Sequence, residues 1–376
     1  MPEQRRSTAE AKRSPVQVPE LSQRDLKVLQ AIIDDYTQHA GPVGSKALAR
    51  SHALGVSPAT LRSVMADLEA LGLLVKPHSS AGRVPTALGY RLYVDRILPL
   101  APLPRRARDR VDRRYSPAPE GVDALLQRTG EVLSSLTRQA AVIALPRLSE
   151  SVYQQIRFVR LRARRVLAVL VTRTGQVQNR AFVVEDDLSQ ADLDRMGRYL
   201  DSLLIAAPLD ALRRQIEEAL QAERARLDRL YAQALALSAA ALDQAVEETP
   251  PEILVDGRRQ LFEQPEFADP GRLRELLEAL EEKAQLVRVL ERAETSPGIQ
   301  VFIGEESGFT TGPDLAMVVA TYSQGDQVLG ALGVVGPSRM DYSRIVPFVD
   351  YTAGLVTRLV ETCEISASEP SPAGAL

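Results

Sequence analysis

The residues best suited to chemistry lie between positions 56 and 95, in the stretch VSPATLRSVMADLEALGLLVKPHSSAGRVPTALGYRLYVD. Small and polar side chains open a predicted helix at Ser57, and a short loop around Gly82 supplies hydroxyls, an imidazole and a guanidinium. Side chains of these types bind phosphate oxygens and base edges. The pattern therefore indicates recognition of a nucleic acid rather than a covalent reaction.

The surrounding signals predict a winged helix-turn-helix domain over residues 21–98. Ser22 and Ser57 can cap helices, and Pro58 suits the first helical position. The segments LLVKP and RVPT predict two short strands around the loop HSSAG, and Thr86 can cap the helix that follows. In such a domain the second and third helices form the helix-turn-helix pair.

The second helix of such a pair enters the major groove with its N-terminal residues at the base edges. Thr60 can touch a thymine methyl or a phosphate, and Arg62 can bind guanine or a phosphate. The loop is expected to lie over the backbone or minor groove. The candidate DNA-binding residues are Lys46, Arg50, Ser57, Ala59, Thr60, Arg62, Ser63, His78, Ser79, Ser80, Gly82 and Arg83. The alternative is a winged helix that binds another protein.

The charge distribution favours DNA, although the whole chain has a net charge of only −3. Residues 21–98 contain nine Lys and Arg against six Asp and Glu, and PRRARDRVDRR at 104–114 contains six Arg against two Asp. A basic N-terminal third on an otherwise acidic protein is typical of a nucleic-acid footprint; the alternative is a solvated surface run. Residues 99–119 are predicted to be a basic, proline-rich linker or a basic helix flanked by prolines.

The remainder of the chain predicts an α+β protein with an antiparallel sheet. Strand-like segments before residue 209 and after 299 look like two halves of one sheet domain, residues 120–208 and 294–365. A mainly helical region, 209–293, is inserted between them, although EILVDG and QLFEQPEF within it suggest strands. Its heptad-spaced apolar residues can face a partner or pack on their own domain. Residues 1–20 and 366–376 are predicted to be a disordered arm and tail.

Enzyme chemistry has little support. The three His lie in the first domain, and a single Cys363 allows neither an internal disulfide nor a Cys/His zinc cage. We therefore expect no metal, no cofactor and a reducing, cytoplasmic setting. The segment GEESGFTTG lacks the lysine of a phosphate-binding loop and is predicted to be a turn. No apolar run reaches the ~18 residues that a membrane helix needs.

One further stretch, SRMDYSR at 338–344, has two interpretations. The structural interpretation is a helix start, capped by Asp341 or Ser343. The functional interpretation is an effector pocket made by Arg339, Asp341, Tyr342 and Arg344. A small-molecule-responsive winged-helix regulator is therefore the alternative function, and an enzyme with a regulatory DNA-binding domain is a third.

Three segments carry a resemblance to a known family: GPVGSKALAR, the stretch at 56–95, and VLGALGVVGPSRMDYSRIVPFVDYTA. They resemble the HrcA family, the heat-inducible transcription repressors of bacteria. The resemblance is weak between the first domain and the last segment, but together it spans most of the chain from 21 to 363. The family often has Ile and Asn at the positions of Leu61 and Ser63. Asn can pair bidentately with adenine, and Ser63 cannot.

The resemblance implies a winged-helix domain, a GAF-like domain at 120–208 and 294–365, and a dimerisation domain at 209–293 inserted within it. It implies a repressor that binds an inverted-repeat operator upstream of chaperone operons of the DnaK and GroE type. The GroE chaperonin is expected to maintain the active repressor, so that heat shock releases repression. The expected partners are double-stranded DNA, GroE and a second copy of the chain, with no membrane and with association with the nucleoid.

Overall fold

The computed structural model describes residues 21–52, 54–78, 81–98, 101–117, 119, 121–146, 153–172, 177–184, 187–203, 253–296, 298–307, 315–325 and 327–368. The predicted arm at 1–20 and the heptad pattern at 209–246 lie outside these residues, as do Ser79, Ser80 and positions 369–376. The last helix runs to Ser368, so it continues past the predicted start of the tail at 366.

The N-terminal domain has the predicted winged helix-turn-helix order. Its helices are α1 (Gln23–His39), α2 (Ser45–Ser51), α3 (Pro58–Ala70) and α4 (Ala87–Leu92), which continues as a π-helical turn at Tyr93–Ile97. Strands β1 (Leu74–Val75) and β2 (Val84–Pro85) pair antiparallel between α3 and α4. Their hairpin forms the wing.

Side-chain caps set the starts of these helices. Ser22 and Asp25 form a reciprocal capping box at α1, and the Ser57 hydroxyl accepts from the Thr60 amide at 3.1 Å at α3. The Thr86 hydroxyl accepts from the Gly89 amide at 3.1 Å and donates to the Gly72 carbonyl at 2.7 Å. Thr86 therefore starts α4 and also ties it to the end of α3.

A basic helix, α5 (Arg105–Arg114), follows the winged-helix domain, and α6 (Val122–Thr137) comes next. Of the two predictions for residues 99–119, the helix is thus confirmed for Arg105–Arg114. Ala107 and Val111 on α5 are buried in the core. Among the described helices, none is long and apolar enough to span a membrane.

A five-stranded antiparallel sheet forms the centre of the molecule. Its strands are β3 (Ala140–Ala144), β7 (Ile253–Asp256), β8 (Ile299–Ile303), β9 (Leu315–Gln324) and β10 (Gln327–Pro337). Their order across the sheet is β7-β3-β10-β9-β8. The strand from before residue 209 that joins β8–β10 is β3, which lies in a segment that sequence analysis did not predict to be a strand.

Both faces of this central sheet are covered. Alternate residues along β9 point to opposite faces, so that Val318 belongs to one hydrophobic core and Val319 to another. Helices α6 and α11 (Tyr342–Ser368) pack on the first face. The second face is covered by α10 (Lys283–Glu294), which follows α8 (Arg258–Phe262) and α9 (Pro270–Glu281).

The strands β4 (Tyr153–Arg162), β5 (Arg165–Thr172) and β6 (Val177–Val183) form a separate antiparallel sheet. Helix α7 (Gln190–Leu203) packs on β4 and closes a small core in which Phe158 meets Phe182 edge-on. The expectation of one sheet is therefore wrong for these three strands. The β-branched composition of these segments indicated strands, but it does not encode which sheet they join.

Residues 253–293 fall within the predicted insertion, but in the structure they belong to the central sheet domain. The segment EILVDG forms β7 as predicted, and β7 pairs with β3 at the edge of the central sheet. The segment QLFEQPEF is not a strand: it contains the end of α8 and a 3-10 turn at Pro265–Phe267. The reason is that Leu261 and Phe267 fill the core as isolated anchors, and Pro265 has no N–H for a ladder.

Gly333 of β10 offers a test of the central sheet, because a Cβ there would lie 2.2 Å from the Val318 carbonyl oxygen. We expect Gly333→Ala to lower the free energy of unfolding by about 1–3 kcal/mol. In contrast, Gly354 in α11 has only ordinary contacts, so Gly354→Ala is expected to be neutral or stabilising by up to about 1 kcal/mol. Denaturant unfolding measures both, and equal stabilities would contradict the packing.

Candidate nucleic-acid interface

The recognition candidates lie on one solvent-facing side of α3. The opposite side of α3 buries Leu61, Val64, Met65 and Leu68 against α1 and α2. Because the helix repeats every 3.6 residues, this leaves Ala59, Arg62 and Ser63 exposed near the helix start. The structure thus brings together the small and polar residues that the sequence singled out.

The first turn of α3 is preorganised by its cap. Ser57 is exposed, and its hydroxyl oxygen lies 3.0 Å from that of Thr60, which is half-buried. Pro58 has no N–H and the Thr60 amide donates to Ser57, so the Ala59 amide is left without a helical partner, and together with the helix dipole it favours a phosphate.

Two exposed cations lie on α2, the helix that precedes α3. Lys46 and Arg50 are exposed on α2, which packs directly against α3. Their charges and reach suit phosphates on either side of a groove that α3 would occupy. The structure therefore places both predicted phosphate contacts on the same helix-turn-helix unit as Arg62.

An isolated β-bridge joins the wing to the segment between α1 and α2, and sequence analysis did not predict it. Val43 bridges to Arg83: the Val43 amide donates to the Arg83 carbonyl at 2.8 Å, and the Arg83 amide donates to the Val43 carbonyl at 2.9 Å. A Cβ on Gly82 would lie 2.4 Å from the Val43 carbonyl oxygen. Gly82 is therefore required for this close approach. A β-branched residue between Pro42 and Gly44 was the signal that could have revealed it.

The tip of the wing presents His78 to solvent, and the Ala81 amide donates to the His78 carbonyl at 3.0 Å. Arg83 is placed differently from the expectation of a free charge. Its guanidinium donates to Glu69 of α3, with Nη2 2.7 Å and Nε 3.0 Å from the same carboxylate oxygen. Only 18% of the Arg83 side chain is exposed. Arg83 therefore ties the wing to α3, and no spacing rule could have found Glu69.

The four residues of the effector-pocket hypothesis all have intramolecular partners. Asp341 caps α11 by accepting from the Arg344 amide at 3.2 Å and the Ser343 hydroxyl at 2.6 Å. The Arg344 guanidinium donates to the Leu136 carbonyl at 3.0 Å. Arg339 is paired with Glu266 and donates to the Thr37 carbonyl at 2.9 Å. These contacts favour the structural interpretation.

The same region joins the winged helix to the central sheet. Arg91 of α4, with 11% of its side chain exposed, is paired with Glu306 and donates to the Val301 carbonyl of β8. The Arg339 contact with Thr37 adds a second link, from the sheet domain to the last turn of α1. The winged-helix domain is therefore packed against the central sheet domain.

Aromatic rings fill the space between these two links. The ring centroids of Tyr90 and Tyr342 lie 5.9 Å apart. Burial raises the pKa of both hydroxyls well above the ordinary range, so they stay protonated. The Tyr342 hydroxyl donates to the Ser338 carbonyl at 2.7 Å. Burial also raises the pKa of the Asp34 carboxyl in α1, which accepts a hydrogen bond from Tyr93.

Comparison with known proteins gives the family. Residues 20–95 match the family described as "Winged helix-turn-helix transcription repressor, HrcA DNA-binding", and residues 123–346 match "HrcA protein C terminal domain". The chain belongs to the HrcA family. It is a heat-inducible transcription repressor with a winged-helix DNA-binding domain, so the predicted family, the α+β fold class and the assignment as a non-enzymatic regulator are confirmed.

Individual relatives of the HrcA family cover nearly the whole chain. The heat-inducible transcription repressor HrcA of Geobacter sulfurreducens is 43% identical over 342 residues, which are 91% of this chain and 99% of that one. The HrcA of Syntrophobacter fumaroxidans is 39% identical and covers 91% of this chain and 98% of its own. A solved structure described as a hypothetical protein covers 92% of this chain and 100% of its own, with a TM-score of 0.61 and 21% identity. That last likeness shows the fold alone.

The pairing of Arg83 with Glu69 gives a test of the wing. If Arg83 acts by positioning the wing, Glu69→Gln and Arg83→Gln will each weaken operator binding, and the double variant will bind no more weakly than either single variant. We expect this non-additive result in a fluorescence-anisotropy titration of all four proteins. Retained or tighter binding by Glu69→Gln, with a loss only in Arg83→Gln, would instead make Arg83 a direct phosphate contact.

Proposed function

We propose that this HrcA repressor binds an inverted-repeat operator upstream of chaperone operons of the DnaK and GroE type, as a homodimer. The observation that carries the proposal is the exposed, capped start of α3, with a rigid wing fixed beside it. A recognition helix with small side chains at its leading end permits close approach to base edges, and the wing adds contacts to the adjoining backbone. Occupancy of the operator is sufficient for repression, and no reaction is needed.

The site residues take different roles in this proposal. Ala59 and Ser57 allow close approach, Thr60 contacts a thymine methyl or a phosphate, and Arg62 binds guanine or a phosphate. Ser63 cannot pair bidentately with adenine, so it contributes through its small size or a single hydrogen bond. The remaining residues contact or position the backbone around the groove: Lys46, Arg50, His78, Ser79, Ser80, Gly82 and Arg83.

The symmetry of an inverted-repeat operator implies that two copies of the chain bind it together. A two-fold dimer presents two recognition helices to two half-sites, so an inverted repeat mirrors the symmetry of the protein. The separate β4–β6 sheet supports an interface in this part of the chain, because its outer side exposes Val159, Leu161, Val177 and Val183. Exposed apolar clusters of this kind are typical of association surfaces. We assign dimerisation to this sheet together with the rest of the predicted insertion, residues 209–252.

Heat acts in this proposal by shifting a population rather than by displacing a ligand. The GroE chaperonin maintains the active repressor, and heat diverts the chaperonin to other unfolded chains. A loss of about 1–3 kcal/mol in the stability of the active state lowers its population by one to two decades. In this proposal the GAF-like domain, built on the central sheet, holds the winged-helix domain in place and binds no small effector. Because the operator is chromosomal DNA, the repressor works in the cytoplasm, associated with the nucleoid.

Replacement of Arg62 tests the placement of α3. We expect Arg62→Ala to lose about 1–3 kcal/mol of operator binding per subunit, because a base or phosphate contact is removed from each half-site. Gel-shift titration measures the affinity, and sedimentation confirms that the dimer content is unchanged. Arg274→Ala is the matched control, since Arg274 is an exposed arginine on α9, far from α3 in the chain. Equal affinities of Arg62→Ala and the native protein would refute this placement.

The heat response is tested by footprinting. Purified repressor should protect two symmetric half-sites upstream of the chaperonin genes at growth temperature, and protection should fade at heat-shock temperature. Addition of GroE should restore it, whereas serum albumin at the same concentration should not. Full protection through heat-shock temperature with no chaperonin present would show that intrinsic thermal loss is the wrong account.

A further inference from the structure

Helix α5 has two sharply different faces. Its inner face buries Ala107 and Val111 in the same core as the winged-helix domain. The half-buried Arg108 donates to the Leu103 carbonyl at 2.6 Å and stacks over the ring of Tyr351. The outer face is formed by exposed arginines: Arg105, Arg106, Arg110, Arg113 and Arg114. These charges therefore stand on a helix that is fixed to the body.

Among the residues that the structure describes, the outer arginines of α5 have no carboxylate partner, in contrast to the buried arginines that join parts of the fold. Arg83, Arg91 and Arg339 each pair with a glutamate. In the part of the chain that the structure describes, no ion pair joins Arg106 or Arg110 to an acid. Like charges spaced four residues apart destabilise a helix. The segment thus keeps an unfavourable arrangement that an external anion would relieve.

The two aspartates of α5 do not cancel this charge. Asp112 is engaged from the other side, where its carboxylate accepts from the Tyr351 hydroxyl at 2.8 Å. Asp109 lies among the outer residues, and its backbone carbonyl accepts from the Arg113 guanidinium at 3.0 Å. The outer face therefore keeps a strong positive excess with a single carboxylate in it.

Three of the arginines share one open groove. Arg106, Arg110 and Arg113 line a shallow, open groove along α5 together with Pro104, Ala107 and Asp109. With a rise of about 1.5 Å per residue, their backbone positions span about 10 Å along α5. Successive phosphates of a DNA strand advance by about 3.4 Å along the helix axis, so the three guanidiniums can follow a short run of one strand. Arginine suits phosphate because its planar fork can donate two hydrogen bonds.

The groove fits a phosphate backbone better than an acidic protein. Pro104 and Ala107 are its apolar lining residues, and neither is a large aromatic or aliphatic anchor of the kind that dominates protein interfaces. Because the chain from Leu98 to Arg105 reaches at most about 25 Å, α5 begins within that distance of the end of the winged-helix domain.

We propose that the outer face of α5 is a second DNA-binding surface, which contacts backbone phosphates flanking each operator half-site without reading bases. The inference rests on the proposed binding of the duplex by α3, and it extends the footprint of each subunit beyond the wing. Because these contacts are made to phosphates, they add affinity for any sequence and increase the salt dependence of binding.

The test is a triple variant, Arg106→Gln/Arg110→Gln/Arg113→Gln, in the full chain. Affinity is measured by fluorescence anisotropy across a series of salt concentrations on the footprinted operator with long flanks and on a random duplex of equal length. Each lost phosphate contact should lower the slope of log affinity against log salt by about 0.9. We therefore expect a slope smaller by about two to three per subunit, and a similar proportional loss of affinity on both duplexes.

Two controls make the result specific. The triple variant Arg272→Gln/Arg274→Gln/Arg288→Gln removes the same charge from exposed positions on α9 and α10 and should keep the native slope. On an operator trimmed to its half-sites, the α5 variant and the native protein should bind alike, because the flanking phosphates are absent. Thermal melting and sedimentation verify that the fold and the dimer are intact.

The outcomes separate this inference from the proposed function. An unchanged slope and affinity on the long duplexes would overturn it, and weaker binding of polyglutamate by the same variant would then assign α5 to an acidic protein partner. Loss of discrimination between operator and random duplex would also overturn it, since that result means base reading. If Arg62→Ala binds normally while the α5 variant loses slope, the placement of α3 fails and the surface on α5 stands.

Discussion

The winged-helix domain and the central sheet share one hydrophobic core, and this shared core fixes the position of the exposed side of α3. Residues of α1, α3 and α4 belong to the same buried cluster as β9, β10 and α11. Tyr90 meets Tyr342 across the boundary, and Arg91 reaches Glu306 and β8. The DNA-binding domain is therefore held at one angle to the body, unlike a domain on a flexible linker. A change in packing at this boundary would therefore alter the direction of α3 relative to the central sheet.

The arginines of this chain fall into two groups, which differ in how much of the side chain is exposed to solvent. Arg83, Arg91 and Arg339 are largely buried, and each meets a glutamate. Removal of one partner from such a pair would leave a charge without compensation in a region of low dielectric, so these pairs fix geometry. By contrast, Arg62 and the outer face of α5 point their charge to solvent, where it is available to an external anion. The same residue type thus supports the fold at one set of positions and, on the proposed function, contacts DNA at another.

A repressor built in this way can respond to heat without an effector site. The residues that sequence analysis offered as an effector pocket are occupied by caps and interdomain links, so they support the junction between the domains. On the proposed function, partial loosening of that junction or of the dimer would be sufficient to misplace the recognition helices. A folded domain has a margin of only about 5–15 kcal/mol, which leaves such a device sensitive to a modest rise in temperature.

The helices and the wing of the N-terminal domain could be predicted from the sequence because short-range signals mark them. The caps at Ser22, Ser57 and Thr86, the apolar repeat of α3 and the Gly-containing wing loop are short-range signals, and all of them appear in the structure. The exposed positions of Arg62 and Ser63 followed from the same helical period. The helix alternative for residues 105–114 was also correct, although the burial of Ala107 and Val111 was not foreseen.

The winged helix-turn-helix, the exposed leading residues of α3 and the α+β class could be predicted from the amino-acid sequence, because each depends on neighbours a few residues apart. Contacts between distant segments instead set the pairing of Arg83 with Glu69, the close approach of Gly82 to Val43 and the separation of β4–β6 into their own sheet. Such contacts also make Arg339 an interdomain link. These features depend on contacts between segments that no local period connects, since alternation tells a strand which face to bury but not which strand lies beside it.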